Sequence, residues 1–213
     1  MRLGLLGGTF DPIHHGHLKI AQTALQLAGL DSVSFVTSVN PPHKSDRTYA
    51  NLLDRHAMVG LALAGCPQLI PSSAEYGRSG KSYSVDTLLE FRKKIAPNVK
   101  LFFLIGMDAF LELATWKDYG QLFGLCTFLV FPRSGHDESE LSIRLPEALK
   151  VRRLDSAGSE SGFTDAEVLI VPKFDVRISS TEIRMRVQEG RSIHELVPGR
   201  VEEYITKTRL YLN

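Results

Sequence analysis

Cysteine is scarce in this chain, and neither sign of charge dominates. Its 213 residues include two cysteines, Cys66 and Cys126, without C-x-x-C spacing, so no disulfide framework is expected. The formal net charge is +1, which provides no broad basic field for nucleic acid. No apolar run approaches the ~20 residues of a membrane span, and the N-terminal apolar run is too short for a signal peptide. These absences predict a cytoplasmic protein with no membrane or nucleic-acid partner.

The two common phosphate-binding loops are absent as well. Gly4, Gly7 and Gly8 do not have the G-x-G-x-x-G spacing of a dinucleotide fingerprint. The tripeptide Gly80-Lys81-Ser82 imitates the end of a Walker loop, but Glu75 stands where the first glycine of that loop belongs. Any phosphate site in this chain must therefore be of another kind.

Residues 7–17 place glycines, a hydroxyl and three imidazoles between a predicted strand and a predicted helix. The apolar run 3–6 predicts a buried strand, and the apolar residues that follow the histidines recur at helical spacing at 18, 21, 25 and 28. A helix start attracts anions through its unpaired N–H groups and its dipole, and His14 and His17 add directed donors. We expect Gly16 to let a phosphate chain approach the backbone, and Asp11-Pro12 to form a turn in which Asp11 caps its own backbone.

The fold class is predicted from alternating strands and helices. Apolar runs that indicate strands lie at 3–6, 33–39, 69–70, 99–105, 127–131 and 168–171. Helical patterns between most of them predict an α/β, Rossmann-like, doubly wound parallel sheet, whose ligands bind at the carboxyl ends of the strands. Residues 133–166 are polar and predict a surface excursion with at most a short helix at 141–149. We expect one domain over 1–213, with a small C-terminal helical part over 178–213.

Two distant motifs carry a resemblance to a known family. His14-His15-Gly16-His17, preceded by Gly8-Thr9-Phe10-Asp11-Pro12, resembles the His-x-Gly-His signature of the nucleotidylyltransferase superfamily. Its second signature appears more than 160 residues downstream as Ile178-Ser179-Ser180-Thr181-Glu182-Ile183-Arg184. The intervening stretches 40–44, 82–88 and 106–116 resemble those of bacterial nicotinate-nucleotide adenylyltransferases, although the Pro132-Arg133-Ser134 order departs from the pattern of that family.

The resemblance implies adenylyl transfer from ATP to nicotinate mononucleotide in NAD biosynthesis, with Mg²⁺ carried by the ATP phosphates. It implies catalytic roles for His14, His17 and Arg184. The residues that it implies for binding ATP are Gly8, Thr9, Phe10, Gly16, Gly106, Asp108, Ser179, Ser180 and Thr181. Those that it implies for binding the acceptor are Asn40, His43, Lys44, Tyr83, Ser84, Thr87, Trp116 and Arg133. Formation of a homo-oligomer is left open.

Each motif also has a plainer interpretation when taken alone. The histidines could bind a transition metal or serve packing, and Ser179 to Thr181 could be an ordinary helix cap followed by a solvated Arg184. Residues 40–44 could form a surface loop, Asp108 could cap a helix, and Trp116 could belong to the core. At the level of function, the acceptor could be nicotinamide mononucleotide or phosphopantetheine, or the chain could be a nucleotide-binding module without turnover.

Overall fold

The computed structural model describes residues 1–40, 50–132, 150–154, 167–172, 174 and 176–212. Its strands are β1 (Arg2–Gly8), β2 (Ser32–Thr37), β3 (Leu69–Ser72), β4 (Lys100–Gly106), β5 (Thr127–Phe131), β6 (Lys150–Arg153) and β7 (Glu167–Ile170). Its α-helices are α1 (His15–Leu27), α2 (Leu52–Leu63), α3 (Ser84–Lys94), α4 (Met107–Leu111), α5 (Tyr119–Leu125), α6 (Ser180–Gln188) and α7 (Gly199–Thr208), and a 3₁₀ turn spans Leu113–Thr115.

All the strand pairs of the described sheet are parallel, in the order β3-β2-β1-β4-β5-β7-β6. The chain turns outward from β1 through β2 to β3, and then returns to place β4 on the other side of β1. This order confirms the predicted α/β doubly wound sheet. Its topological switch point lies between β1 and β4, where such sheets open a crevice for ligands at their carboxyl edge.

Each of the six predicted apolar runs falls on a strand, and one strand was missed. The interpretation of residues 133–166 as a surface excursion is wrong at β6, which pairs with β7 at the edge of the sheet. Three of its four residues, Lys150, Arg152 and Arg153, are charged, because an edge strand has a neighbour on one side only and need not be apolar. The short helix predicted at 141–149 lies outside the described residues.

Helices cover both faces of the sheet. On one face α1, α2, α6 and α7 enclose a cluster around Phe35 and Leu104, and on the other face α3, α4 and α5 enclose a cluster around Phe103 and Phe128. Gly4 of β1 allows close packing on the first face, since a Cβ there would lie 2.8 Å from Leu30 Cδ1. The two cores hold the strand ends, and therefore the loops at the crevice, in fixed positions.

The C-terminal part packs against the helices of the first face. Tyr204 of α7 donates a hydrogen bond of 2.8 Å to Asp54 of α2. The assignment of residues 1–213 to one domain stays a prediction. Within the described ranges, every helix is too short or too polar to cross a membrane.

Candidate active site

The loop after β1 is anchored in the core before it reaches the histidines. Phe10 has a left-handed φ of 50° and its ring is 2% exposed. The ring packs edge-on against His17, with centroids 5.0 Å apart, and against Phe35 at 5.7 Å. The side chain of Phe10 therefore supports the loop from beneath, and Phe10 lines neither of the two cavities at this edge of the sheet.

His14 and His17 form a stacked pair at the start of α1. Their ring centroids are 3.7 Å apart with an angle of 22° between the planes. The backbone N–H of His14 donates to Nδ1 of His17 at 3.3 Å, so a neutral His17 carries its proton on Nε2. This bond fixes His17 as a hydrogen-bond donor through the nitrogen on the far side of its ring.

Gly16 is required by its neighbours in the protein. A Cβ at this position would lie 2.7 Å from Val176 Cγ1 and 2.9 Å from His14 Nδ1. We expected the glycine to make room for phosphate, whereas the structure shows that it makes room for the His14 ring and for the chain that leads into α6. A glycine is required at position 16, but for a physical reason other than the one we expected.

The second motif contacts the first directly. Arg184 Nη1 donates to the carbonyl oxygen of Asp11 at 2.7 Å, across 173 positions of sequence, and the hydroxyl of Ser180 donates to the carbonyl oxygen of Pro12 at 3.0 Å. Ser179 caps α6 by accepting from Glu182 N at 3.2 Å. The helix-cap interpretation is therefore correct for Ser179, and the cap lies beside the histidine loop.

Two adjoining cavities open at this edge of the sheet. The larger, of about 370 Å³, lies over β1 and β4, and the smaller, of about 270 Å³, lies over the starts of α1 and α6. Both are lined by His17, Ile20 and Gly106. Predicted site residues that line the larger cavity are Gly8, Thr9, His17, Ser84, Gly106, Thr87 and Trp116. Those that line the smaller cavity are His14, Gly16, His17, Gly106, Asp108 and Ser179.

Comparison with known proteins identifies the family. The model of the cytidylyltransferase-like family matches residues 5–186. The chain belongs to this family. A probable nicotinate-nucleotide adenylyltransferase of Geobacter sp. (strain M21) is 40% identical over 221 residues, which cover 100% of this chain and 99% of the relative. Its counterpart in Moorella thermoacetica is 41% identical over 210 residues, which cover 99% and 91%. The resemblance seen in the two motifs is confirmed, and with it the nucleotidyltransferase class of the enzyme.

A solved structure of the family shares the fold. Plasmodium falciparum nicotinic acid mononucleotide adenylyltransferase, complexed with NaAD, matches with a TM-score of 0.74 and 20% identity. The match covers 99% of this chain and 97% of that chain. At this level of identity the likeness supports the architecture alone.

The wall of the larger cavity around Trp116 contains both aromatic and charged side chains. Trp116 lies edge-on to Phe103, with centroids 6.4 Å apart, and is half-buried with part of its ring toward the cavity. The neighbouring Lys117 places Nζ 5.0 Å from the centre of the Tyr83 ring and 3.2 Å from the carboxylate of Asp86. Trp116 therefore forms part of a ligand-sized wall rather than the closed core that its hydrophobicity alone would suggest.

Thr87 reaches this cavity, but its hydroxyl is already bonded. It donates to Glu75 Oε1 at 2.8 Å and accepts from Arg78 Nη1 at 2.8 Å. Thr87 and Glu75 are both buried, with 4% of each exposed. The hydroxyl thus fixes the start of α3, and its hydrogen-bonding capacity is used within the protein.

Asp11 makes long-range contacts instead of forming only the local turn that we expected. Its Oδ1 accepts from the hydroxyl of Tyr211 at 2.8 Å and from the N–H of Ala50 at 3.2 Å. Burial and the neighbouring Asp11 carboxylate raise the pKa of Tyr211 far above its ordinary value. The C-terminal end of the chain is thereby tied to the histidine loop.

The remaining predicted residues lie at the margins of the site or outside the described residues. Asn40 is exposed and its backbone N–H donates to Ser82 Oγ at 3.0 Å. Thr181 is exposed and accepts from Arg184 Nη2 at 3.2 Å. The predicted acceptor-binding residues His43, Lys44 and Arg133 lie outside the described residues. Among the described residues, no group of three or more His, Cys, Asp or Glu is placed to hold a metal ion.

Sequence reasoning missed five residues that build this site, namely Arg55, Glu75, Ser82, Lys117 and Tyr211. A lone arginine or lysine in a helical or loop pattern indicates a solvated surface, and a tyrosine near a chain end has no motif around it. Glu75 was considered only in rejecting a Walker loop, and Ser82 belonged to the stretch 82–88 that resembles the family but was given no role. One local signal was available, since Lys117 directly follows the predicted Trp116.

Proposed function

We propose that this protein transfers the adenylyl group of ATP to nicotinate mononucleotide, which yields nicotinate adenine dinucleotide and pyrophosphate. The observation that carries the proposal is the pair of contacts from Ser180 and Arg184 to the carbonyls of Pro12 and Asp11. They join the two family motifs into one wall beside the His14 and His17 rings. The names of the curated relatives supply the substrates, and the proposal places the reaction in cytoplasmic NAD biosynthesis.

The reaction needs alignment more than acid–base chemistry. A phosphate monoester has a second pKa of about 6, so the phosphate oxygen of the acceptor is already mostly ionised at neutral pH. This oxygen attacks the α-phosphorus in line, one new P–O bond forms, and the bond from the α-phosphorus to the bridging oxygen of pyrophosphate breaks. The protein has to hold the reactants and stabilise the charge that develops.

ATP is assigned to the smaller cavity, with its triphosphate passing His17. The donor on Nε2 of His17 and the ring of His14 face the transferred phosphate, while the start of α6 offers N–H groups to the β and γ phosphates. Arg184, on the same helix, adds a planar cation. The exposed carboxylate of Asp108 accepts from ribose hydroxyls, and the face of Gly16 borders the phosphates in the smaller cavity. The backbone of residues 8–10, on the side of the larger cavity, meets the α-phosphate where the two cavities join at His17.

The acceptor is assigned to the larger cavity. Trp116 offers an aromatic face to the pyridine ring, and the start of α3 at Ser84 meets its carboxylate. Thr87 holds this start in place through its bonds to Glu75 and Arg78. Asn40, together with His43 and Lys44, approaches the phosphate of the acceptor from the β2 side. Tyr83 and Arg133 complete the set that the family resemblance assigns to the acceptor.

Magnesium enters as part of the substrate. Mg²⁺ keeps several waters and commonly binds through substrate phosphates rather than through an all-protein cage. MgATP therefore supplies the divalent ion, which neutralises charge on the departing pyrophosphate.

The experiment that tests this proposal measures pyrophosphate release with MgATP and three acceptors: nicotinate mononucleotide, nicotinamide mononucleotide and phosphopantetheine. We expect release to be fastest with the nicotinate compound. Preference for either other acceptor would overturn the substrate assignment, and no release with any of them would favour a binding module.

A matched pair of histidine variants tests the chemistry. His17→Ala removes one preorganised donor and should lower kcat by about 10² to 10³. His15→Ala removes an exposed imidazole from the same turn and should leave kcat within about twofold. Equal rates in the two variants would remove His17 from the mechanism.

A further inference from the structure

Arg55 of α2 is buried behind the larger cavity and is 1% exposed. Its Nη1 donates to the carbonyl oxygens of Thr9 and Ser38, each at 2.7 Å. Its Nε donates to the carbonyl oxygen of Ala50 at 3.2 Å, and its Nη2 lies 3.5 Å from that of Val39. One guanidinium thus joins the loop after β1, the residues that follow β2 and the segment that leads into α2.

This arrangement suits an arginine and no other side chain. A buried cation is strongly disfavoured unless its donors are used, and burial lowers the pKa of Arg55 while Asp11 raises it. The planar guanidinium offers five N–H donors in a fixed fork, whereas a lysine ammonium is a single point of charge. The fork reaches four carbonyls from three nitrogens, whereas a lysine ammonium has three donors on one atom.

The backbone N–H of Ala50 is held as well as its carbonyl. Its N–H donates to Asp11 Oδ1 at 3.2 Å, while its carbonyl accepts from Arg55. Ala50 follows residues 41–49, which carry the predicted acceptor-binding residues His43 and Lys44. Arg55 and Asp11 therefore fix the chain where it leaves that segment, relative to the loop that carries the catalytic histidines.

The chain is also fixed where it enters the same segment. The N–H of Val39 donates to Ser82 Oγ at 3.1 Å and to Glu75 Oε2 at 3.2 Å, and the N–H of Asn40 donates to Ser82 Oγ at 3.0 Å. Ser82 and Glu75 connect this point to the start of α3. Arg55 connects it to the loop after β1 at Thr9, beside the backbone bond of 2.9 Å from the N–H of Ser38 to the carbonyl oxygen of Gly8.

Thr9 and Ser38 both line the larger cavity, whereas Arg55 is not among its lining residues. Under the proposed function, the loop that carries Thr9 leads to the histidines that face the α-phosphorus, and Ser38 leads into the segment that carries the predicted acceptor-binding residues. Arg55 therefore links the two chain segments that position the reacting groups. We propose that Arg55 is a positioning residue that sets the distance between the acceptor phosphate and the α-phosphorus without binding either substrate. In-line attack requires the reacting atoms to lie about 3 to 3.5 Å apart, and a misplacement of about 1 Å can lower the rate by about 10².

The test separates alignment from binding. In Arg55→Lys and Arg55→Gln, kcat should fall about 10- to 100-fold. The dissociation constants of nicotinate mononucleotide and of an ATP analogue that cannot be cleaved between its α and β phosphates, each measured alone by calorimetry, should change by less than about threefold. A thermal unfolding curve shows whether each variant is folded at the assay temperature.

Arg92 provides a matched control. This half-buried arginine also donates to backbone carbonyls, those of Leu125 at 2.7 Å and Val99 at 3.0 Å, but neither cavity includes these residues. Arg92→Gln should lower stability while leaving kcat within about twofold.

A folded Arg55 variant with kcat within about threefold of the parent would overturn the inference, as would a loss of kcat matched by an equal weakening of both dissociation constants. If neither Arg55 variant folds, Ser82→Ala decides the question. This variant removes the Ser82 Oγ acceptor from the N–H groups of Val39 and Asn40 and leaves the bonds of Arg55 in place. An unchanged kcat in that variant would count against the positioning role of Arg55. A parent enzyme that releases no pyrophosphate refutes the proposed function instead, so the two failures are distinguishable.

Discussion

Tyr211→Phe removes one hydroxyl and should have an effect out of proportion to its size. Tyr211 is 6% exposed, and its hydroxyl donates to Asp11 Oδ1 at 2.8 Å. A buried hydrogen bond to a charged group contributes about 1.5 to 3 kcal/mol, because its loss leaves the carboxylate with one donor fewer and no water in its place. For a chain of this length, 1 kcal/mol corresponds to about 2 to 4 °C in Tm, so we expect Tm to fall by about 3 to 12 °C.

The chain contains a matched control for this experiment. Tyr204 also donates to an aspartate, Asp54, at the same distance of 2.8 Å, but both residues are only half-buried. Tyr204→Phe should therefore cost about 1 kcal/mol or less, since water replaces the lost partner. Urea unfolding of the parent and of both variants at pH 7 compares the two bonds. Equal losses in Tyr211→Phe and Tyr204→Phe would refute the reasoning from burial.

The pH dependence gives the same bond a second test. Burial and Asp11 raise the pKa of Tyr211 above the ordinary value of about 10, so the folded protein keeps a proton that the unfolded chain releases at high pH. The stabilisation is complete below about pH 10 and declines above it, by up to about 1.4 kcal/mol per pH unit. The free-energy gap between the parent and Tyr211→Phe should narrow from pH 9 to pH 11, and a gap that stays constant would contradict this linkage.

Three further substitutions probe the walls of the site, and two of them have a control substitution elsewhere in the chain. Gly16→Ala creates the clash described above and should lower the free energy of unfolding by about 1 to 3 kcal/mol. Gly124→Ala, in open space on α5, should raise it by about 0.5 to 1 kcal/mol. Urea unfolding that showed changes of the same sign in both variants would contradict this expectation. Trp116→Ala should raise the KM for the acceptor roughly 2- to 12-fold and leave the KM for ATP unchanged, and steady-state kinetics showing the reverse would move Trp116 to the ATP side. Thr87→Val removes a buried hydroxyl bonded to a carboxylate and should cost about 1 to 3 kcal/mol, while the exposed Thr115→Val should cost under about 0.5 kcal/mol; equal thermal shifts would show that the Thr87 network contributes little.

The sheet could be predicted because its interior strands are buried on both faces. Such strands must be apolar throughout, so runs such as 99–105 stand out from the helices around them. The edge strand β6 carries Lys150, Arg152 and Arg153 and has no such requirement, which is why its sequence indicates a loop. The order of the strands was not predicted, because the alternation of strands and helices indicates a doubly wound parallel sheet and its ligand-binding edge but not which strands are neighbours.

The motifs of the site could be found, but their supports could not. His14, His17 and Ser179 occur in recognisable local patterns, and the structure brings all three to one cavity. Arg55 and Tyr211 act on backbone or side-chain groups dozens to hundreds of positions away, and nothing near them in the sequence marks that role. Periodicity reports which face of an element is buried, and it does not report which carbonyl a buried guanidinium will meet.

The shared wall at His17 has a consequence for inhibitors. Under the proposed function each substrate fills one compartment, while the dinucleotide product extends through both, so added product should compete with ATP and with the acceptor alike. Two small fragments bound on either side of the imidazole would be close neighbours. A short tether between them would make the second binding event intramolecular and raise affinity well beyond that of either fragment.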